Sequence, residues 1–207
     1  MSLWQTVEDP PKLLPQLWEM PDANIVFYEQ LFSAEESDRL FAKLDLEIQW
    51  QQDYIHVFGK TIPLPRLTAW YGEAGKSYIY SDIEMHPAAW TSTLLEIKAK
   101  VEAHSGVTFN SVLLNQYRTG QDSVAWHSDD EPELGQNPII GSVSFGGTRR
   151  FILRHKYQKE QAKVSIDLTH GSFLLMRGTT QHFWQHQISK TAKLVKPRIN
   201  LTFRVIT

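Results

Sequence analysis

Cysteine is absent from the 207-residue chain, which excludes a disulfide scaffold and a thiolate metal site and fits a reducing compartment. No run of 18 apolar residues occurs, so no helical membrane span is expected. The stretch from Met1 to Pro10 has neither a basic start nor an apolar core. No signal peptide is therefore expected, and a bacterial cytoplasm or a eukaryotic nucleus is the default location. An excess of positive charge is also missing, since 21 Lys and Arg face 23 Asp and Glu for a formal net charge of −2. That balance argues against a nucleic-acid binder that works by bulk electrostatics. Internal repeats and low-complexity segments are missing as well.

What the chain does have is apolar material. At 42% hydrophobic residues, a chain of this length buries a substantial core unaided, so a bound metal would serve chemistry rather than folding. Residues 1–24 carry Pro10, Pro11, Pro15 and Pro21 and read as an irregular arm, and residues 25–207 read as one domain. Ile25 to Tyr28 reads as a short strand. Ser33-Ala-Glu-Glu36 is a capping-box signature that opens a helix running to about Leu44. Pro87 is expected to start a second helix, whose Trp90, Leu94, Ile97 and Val101 recur at the spacing of a core stripe. Strands are expected at Ser111 to Tyr117, Ile140 to Phe145, Arg150 to His155, Lys163 to Asp167, Ser172 to Met176, His182 to His186 and Arg198 to Ile206. Two early helices followed by many short strands imply a mainly β fold of α+β type, with helices packed on one side of a β-sandwich or jelly roll.

The segment Trp126-His-Ser-Asp-Asp-Glu131 carries the sharpest chemical signal. An imidazole and a carboxylate two residues apart, His127 and Asp129, point to the same side of an extended backbone and can take adjacent positions on one metal ion. Alone, the pair is weak, because such tripeptides occur on ordinary surfaces. A third ligand has to come from downstream, where His170, His182 and His186 are the candidates. His182 and His186 are four residues apart and share the parity of one strand, so alternation does not separate them. Two histidines and one carboxylate with open positions describe the facial triad of a non-haem Fe(II) oxygenase.

The last strand strengthens that reading. Ile199, Leu201, Phe203 and Val205 form an apolar face, and Arg198, Asn200, Thr202 and Arg204 form a polar one. The polar face looks either into solvent, as on an edge strand, or into a cavity. A guanidinium fork suits a carboxylate guest in that cavity. Arg198 and Arg204, six residues apart, are separated by about 20 Å along a strand and would approach opposite ends of a small diacid.

Taken in order, Val57-Phe-Gly-Lys60, Pro65-Arg66, Trp70-Tyr-Gly72, Asn115-Gln-Tyr117, His127-Ser-Asp-Asp-Glu131, Phe151-Ile-Leu-Arg-His-Lys156, His186 and Arg198-Ile-Asn-Leu-Thr-Phe-Arg204 resemble the AlkB-type nucleic-acid dealkylases of the Fe(II)/2-oxoglutarate dioxygenases. The branch that repairs double-stranded DNA is the nearest match. The resemblance runs from about Val57 to Arg204 and implies a double-stranded β-helix with a metal at its open mouth. Its ligands would be His127, Asp129 and His186, because the family's distal histidine lies a short distance before the first arginine. His182 is then left as a core histidine or one that supports a ligand. The implied co-substrates are 2-oxoglutarate and O2. Arg198, Tyr117 and Asn115 would hold the far carboxylate of 2-oxoglutarate, with Arg204 nearer the chelating end and Asn200 on the same face. The implied reaction hydroxylates an N-methyl group such as that of N1-methyladenine or N3-methylcytosine, coupled to decarboxylation of 2-oxoglutarate, and releases formaldehyde.

The same resemblance implies substrate-recognition hairpins at about residues 50–82. Phe58 would be a wedge filling the gap left by a flipped base. Tyr80, with His127 opposite, would stack on that base and Tyr78 would contact its edge or the backbone. Carboxylates suit a cationic methylated base: Glu131 matches the family's base-contacting acid, while Asp130 either shares that role or pairs with Arg66. Two basic runs, Arg149 to Lys163 and Lys190 to Arg198, read either as solvated faces or as a local phosphate track. The chain departs from the duplex-specific pattern at Arg150, where that branch has an acid, and at Ser189-Lys-Thr-Ala-Lys193, where its basic triplet is thinned. Duplex DNA remains the expected partner of a monomeric enzyme, and these two departures, which weaken the expected grip on the complementary strand, add single-stranded DNA and RNA as further substrates. Two readings compete: the same chemistry on RNA, a protein or a small molecule, and a catalytically silent nucleic-acid binder.

Overall fold

Short alternating segments bounded by turns fold here into two facing sheets with helices on the outside of the larger one. The computed structural model describes residues 14–57, 59–75, 78–80, 83–85 and 87–207, with the backbone alone at 57, 78–80 and 83–85. The chain runs through β1 (Gln16–Met20), β2 (Ala23–Tyr28), α1 (Ala34–Glu47), β3 (Tyr54–Val57), β4 (Lys60–Pro63) and β5 (Leu67–Gly72). It continues through β6 (Tyr78–Tyr80), β7 (Ile83–Met85), α2 (Ser92–Ser105), β8 (Ser111–Tyr117), β9 (Val124–His127) and a single helical turn at Pro132–Leu134. The C-terminal part holds β10 (Ile140–Gly146), β11 (Arg149–His155), β12 (Val164–Leu168), β13 (Ser172–Arg177), α3 (Thr180–Phe183), β14 (Trp184–Ile188) and β15 (Arg198–Arg204).

Among the described residues the larger sheet has the order β1-β2-β13-β10-β15-β8-β5, and the smaller one β12-β11-β14-β9. Two separate ribbons, β3–β4 and β6–β7, lie on either side of β5 in the chain. One apolar layer lies between the sheets, where Phe27, Leu174 and Met176 of the larger sheet meet Phe151, Leu153, Ile166 and Trp184 of the smaller. The other lies under the helices, where Leu40, Leu44, Leu94, Ile97 and Val101 cover Val143, Phe145, Ile199, Leu201 and Phe203. This is the double-stranded β-helix with its helices on one side.

α1 begins where its capping box predicts: Ser33 Oγ accepts from the Glu36 amide at 3.1 Å and Glu36 Oε2 accepts from the Ser33 amide at 2.8 Å. α2 starts later than Pro87. Thr91 caps it by accepting from the Leu94 amide at 3.2 Å. Ala88 instead closes the free edge of β5, donating to Trp70 O at 2.9 Å and accepting from the Gly72 amide at 3.0 Å. A backbone satisfied by a strand edge has no need of a helical turn. The predicted stripe does face the core, with Leu94, Ile97 and Val101 fully buried and Trp90 stacked on Phe203.

Three further expectations change. The arm is not irregular throughout, because Gln16–Met20 pairs with β2 through a turn at Pro21-Asp22, where Asp22 takes a φ of 57°. The segment from His182 is not strand from its start: Thr180–Phe183 is a helical turn and extension begins at Trp184. β15 ends at Arg204, and the Asn110 side chain then takes over both backbone groups of Ile206, at 2.7 and 2.8 Å. Of the two readings left open for the polar face of β15, the solvated edge strand is the one excluded. β15 lies between β10 and β8, so Arg198, Asn200 and Thr202 are buried against the space between the sheets rather than solvated.

Candidate metal and co-substrate site

Neighbouring strands of the smaller sheet build the metal end. His127 at the end of β9 and His186 in β14 are Cα partners across an antiparallel pair, which brings their ring centroids to 4.3 Å. His127 Nδ1 lies 2.8 Å from Ala125 O. A carbonyl can only accept, so Nδ1 carries the proton and Nε2 keeps its lone pair. His186 is buried, with Phe151 stacked on its ring at 4.9 Å. Burial, aided by the facing His127, pushes the His186 imidazole down to about 3, so it stays neutral and able to ligate at physiological pH.

Asp129 stands just past the end of β9. Its Oδ2 is 3.7 Å from His186 Nε2, and its other oxygen accepts from Arg204. Burial by itself would raise this carboxyl, but Arg204, His186 and His127 outweigh burial and hold it below the usual carboxylate range. One ligand atom from each of His127, Asp129 and His186 lies within 4.8 Å of the others. Two imidazoles and an ionised carboxylate clustered in this way fit a facial Fe(II) triad. His182 stays outside the cluster. Half-buried on α3, its Nε2 accepts from the Asn137 amide at 3.3 Å.

Gln181 also belongs to this end, although nothing in its own sequence neighbourhood points to it. Fully buried, it accepts from the Asp129 amide at 3.0 Å through Oε1. Ser128 Oγ donates to Trp184 O at 2.9 Å, so the loop carrying Asp129 is tied on both sides. Gln181 stands 52 residues from its partner, a separation at which no spacing rule operates.

The other end lies on the inner face of the larger sheet, where register places Tyr117 opposite Arg198 and Asn115 opposite Asn200. Arg198 is only 1% exposed. Its Nη2 donates to Ser144 Oγ at 2.9 Å and its guanidinium lies 5.0 Å over the Tyr117 ring. Among the described residues, Nε and Nη1 are buried with no hydrogen-bond partner. Burial pushes this guanidinium down to about 10, which still leaves it charged at neutral pH. A buried cation with two unspent donors is a receptor for a carboxylate, and this is the observation that fits 2-oxoglutarate. Arg149 also lies over the Tyr117 ring, at 5.6 Å, its Nη2 fixed to Ser189 O at 2.7 Å and Asp122 O at 2.9 Å.

The remaining predicted residues divide. Asn115 Oδ1 accepts from Arg66 Nε at 2.7 Å, and Arg66 also reaches Ser123 O at 3.3 Å. Asn200 spends its amide donor on Ser142 Oγ and Val143 O, at 2.9 and 2.8 Å, and accepts from Thr202. It therefore braces β15 against β10. Asp130 pairs with Lys156 at 2.8 Å, not with Arg66, and half-buried Glu131 precedes the helical turn at Pro132–Leu134. Phe58 lies outside the described residues, although the flanking β3 and β4 do form a hairpin. Tyr78 and Tyr80 are placed on β6 by their backbone, with their side chains outside the described residues. The first basic run does not form one surface, because strand alternation turns Arg149 and His155 inward.

A His-Asp-His cluster that could hold a metal, in a double-stranded β-helix with a buried arginine between its sheets, is the arrangement characteristic of 2-oxoglutarate-dependent iron oxygenases. A model of the 2OG-Fe(II) oxygenase superfamily matches residues 24–204, and the chain belongs to that superfamily as an AlkB-type member. The mouse protein named Alpha-ketoglutarate-dependent dioxygenase alkB homolog 3 is 42% identical over 192 residues, covering 89% of this chain and 66% of its own length. Human DNA oxidative demethylase ALKBH2 is 39% identical over 188 residues, covering 86% of this chain and 72% of its own length. The chain spans 62% to 66% of the length of the mammalian alkB homolog 3 proteins it matches. The solved structure of OsALKBH1 shares the fold, with a TM-score of 0.62 at 16% identity, over 93% of this chain and 100% of that one.

Proposed function

We propose that this protein oxidatively demethylates N-alkylated bases such as N1-methyladenine and N3-methylcytosine in DNA, in duplex and in single strands. The reading is carried by one observation: a metal-ligand cluster and a buried, half-unspent Arg198 belong to the same space between the sheets, and acidic side chains follow directly on the ligand Asp129. The names of the relatives, an alkB homolog 3 dioxygenase and a DNA oxidative demethylase, support the choice of substrate. A nucleic-acid substrate places the enzyme in a bacterial cytoplasm or a eukaryotic nucleus.

Iron with 2-oxoglutarate and O2 supplies the oxidising power: the co-substrate loses CO2 to become succinate, and one oxygen atom enters the N-methyl C–H bond. The chain's own groups do the rest. His127, Asp129 and His186 would hold the metal. Arg198 would use its spare N–H donors on the far carboxylate, with the Tyr117 ring against its guanidinium, and Asn115, whose oxygen is fixed by Arg66, would assist it. Arg204 keeps Asp129 ionised. A methyl group on N1 of adenine or N3 of cytosine makes the base cationic, and a unit charge ~4 Å from a carboxylate gains about 4 kcal/mol at an effective dielectric near 20, before desolvation. Lys156 pairs with Asp130, and Glu131, which matches the base-contacting acid of the AlkB-type family, is the acid assigned to discrimination.

The test is mass spectrometry of oligonucleotides bearing one defined methyl adduct, in matched single and double strands of DNA and in RNA, with formaldehyde and succinate measured in parallel. Loss of the methyl mass with equal formaldehyde, dependent on Fe(II) and 2-oxoglutarate, is expected. Succinate without any loss of methyl mass would move the substrate to a protein or small molecule. No succinate at all would leave a silent binder.

A further inference from the structure

Arg149, the first residue of β11, carries a buried positive charge that the metal cluster does not use. Its printed bonds all go to backbone carbonyls: Nη1 donates to Thr119 O at 3.3 Å, and Nη2 donates to Asp122 O at 2.9 Å and to Ser189 O at 2.7 Å. These bonds pin the loop between β8 and β9 to the segment that follows β14, and they occupy donors without cancelling the charge. Asp122 spends its carboxylate on Arg118, which donates to it from the backbone amide at 2.9 Å, from Nε at 2.7 Å and from Nη2 at 2.9 Å. Among the described residues no carboxylate lies within ion-pair distance of Arg149 or of Arg198.

Arg149 and Arg198 therefore form a buried pair of like charges against one aromatic ring. The centroid of the buried Tyr117 ring lies 5.6 Å from the Arg149 guanidinium and 5.0 Å from that of Arg198. Burial pushes the Arg198 guanidinium down, and the charge on Arg149 pushes the same way, so each cation raises the cost of burying the other. A latch between two loops needs the geometry of the fork but has no need of a second cation beside the first. An anionic guest at Arg198 does, because one carboxylate then faces two positive charges in a setting where screening is weak. With its Nη donors spent on the loops, Arg149 reaches such a guest through its charge and through the Tyr117 ring.

We infer that Arg149 is a positioning residue for the co-substrate, whose charge, acting across the Tyr117 ring, strengthens the hold of Arg198 on the far carboxylate without touching it. This inference rests on the reading of 2-oxoglutarate as the co-substrate. It predicts an effect that follows the charge of the guest's far end: a unit charge ~10 Å from a carboxylate, at an effective dielectric near 20, changes affinity by about tenfold, and a neutral far end escapes that effect.

The experiment is calorimetric titration of the Mn(II)-loaded protein with 2-oxoglutarate and with its 5-methyl ester, whose far end is neutral. Wild type, Arg149→Gln and Arg149→Lys are compared, with denaturant unfolding of each alongside. Arg149→Gln should weaken 2-oxoglutarate about tenfold and the ester by less than about twofold. Arg149→Lys keeps the charge but loses the fork, so it should stay within about threefold of wild type for both guests. Equal losses of both guests in Arg149→Gln overturn the inference, since a loosened loop costs each alike, and so does an unchanged affinity for 2-oxoglutarate. Should Arg149→Gln not fold, Arg149→Lys decides: affinity for 2-oxoglutarate within about threefold of wild type upholds the role of charge, and a loss of about tenfold or more overturns it. A wild type that binds no 2-oxoglutarate overturns the co-substrate reading itself, whereas wild-type binding with no selective loss in the variants overturns the Arg149 assignment alone.

Discussion

The two ends of the space between the sheets satisfy their charges in opposite ways. At the metal end, Asp129 is already matched by Arg204 and its backbone is held by Gln181, so the ligand set is organised before any guest arrives. At the far end, Arg198 is equally buried yet keeps two donors unspent. A buried charge without full compensation costs stability, and the fold tolerates it only where a guest completes it. The difference separates what this protein builds from what it waits for.

The comparison can be broken most severely at the metal. His127→Ala should reduce demethylation to background while the apo protein loses less than about 1 kcal/mol of stability, since the side chain is only half-buried. Retained turnover, measured as formaldehyde release, would refute the metal assignment. Arg198→Met should raise KM for 2-oxoglutarate about a hundredfold, because two charge-assisted hydrogen bonds of about 1.5–3 kcal/mol each are lost. Iron affinity should be unchanged and apo stability equal or higher, since an incompletely paired buried charge has been removed. A fall in apo stability of several kcal/mol on denaturant titration would mean that Arg198 is structural.

A smaller effect is expected at Gln181. Gln181→Leu leaves the Asp129 amide without its acceptor, at a cost of about 1–3 kcal/mol, and should weaken iron binding about tenfold with KM for 2-oxoglutarate unmoved. The pH dependence of the apo protein sharpens the same contrast. His186 has a folded value of about 3, depressed by burial, against about 6.5 in the unfolded chain. The unfolded chain therefore binds the extra proton first. Stability should be level above about pH 6.5, fall as pH drops from 6.5 toward 3, and lose nothing further from this group below that. Asp129, held below the usual carboxylate range, adds a loss in the same direction as pH falls through its own folded value. His186→Asn should flatten the slope between pH 6.5 and 4 in thermal denaturation; an unchanged slope would place the titration elsewhere. The smallest effect is on selectivity. Glu131→Ala should narrow the preference for methylated over unmodified bases by a few-fold, and an unchanged ratio would remove Glu131 from the pocket.

Much of the site is legible in the sequence where the pattern is local. The spacing of His127 and Asp129 and the alternation of β15 depend on backbone periodicity alone, which any extended segment obeys. Pattern reading falters where the element itself is misjudged. His182 and His186 share a parity only if one strand holds both, and the helical turn at Thr180–Phe183 separates them. The basic run from Arg149 to Lys163 looks continuous as text, yet strand alternation buries Arg149 against Tyr117 and exposes Arg150 to Asp167. The start of α2 shifts because Ala88 finds a partner on β5, an edge that local capping rules do not see.

From its residues alone, the spacing of the candidate ligands His127 and Asp129, the amphipathic order of the last strand and the mainly β architecture with outer helices are legible, because each follows from composition and from periods of two and 3.6 residues. Tertiary structure alone decided that β15 is central rather than at an edge, that Arg204 compensates Asp129 across 75 residues, that Gln181 carries the metal loop and that Arg198 keeps donors in reserve. Those are matters of burial and of contacts between distant segments. The free energy of a buried charge depends on what surrounds it in space, and a linear pattern holds no record of that.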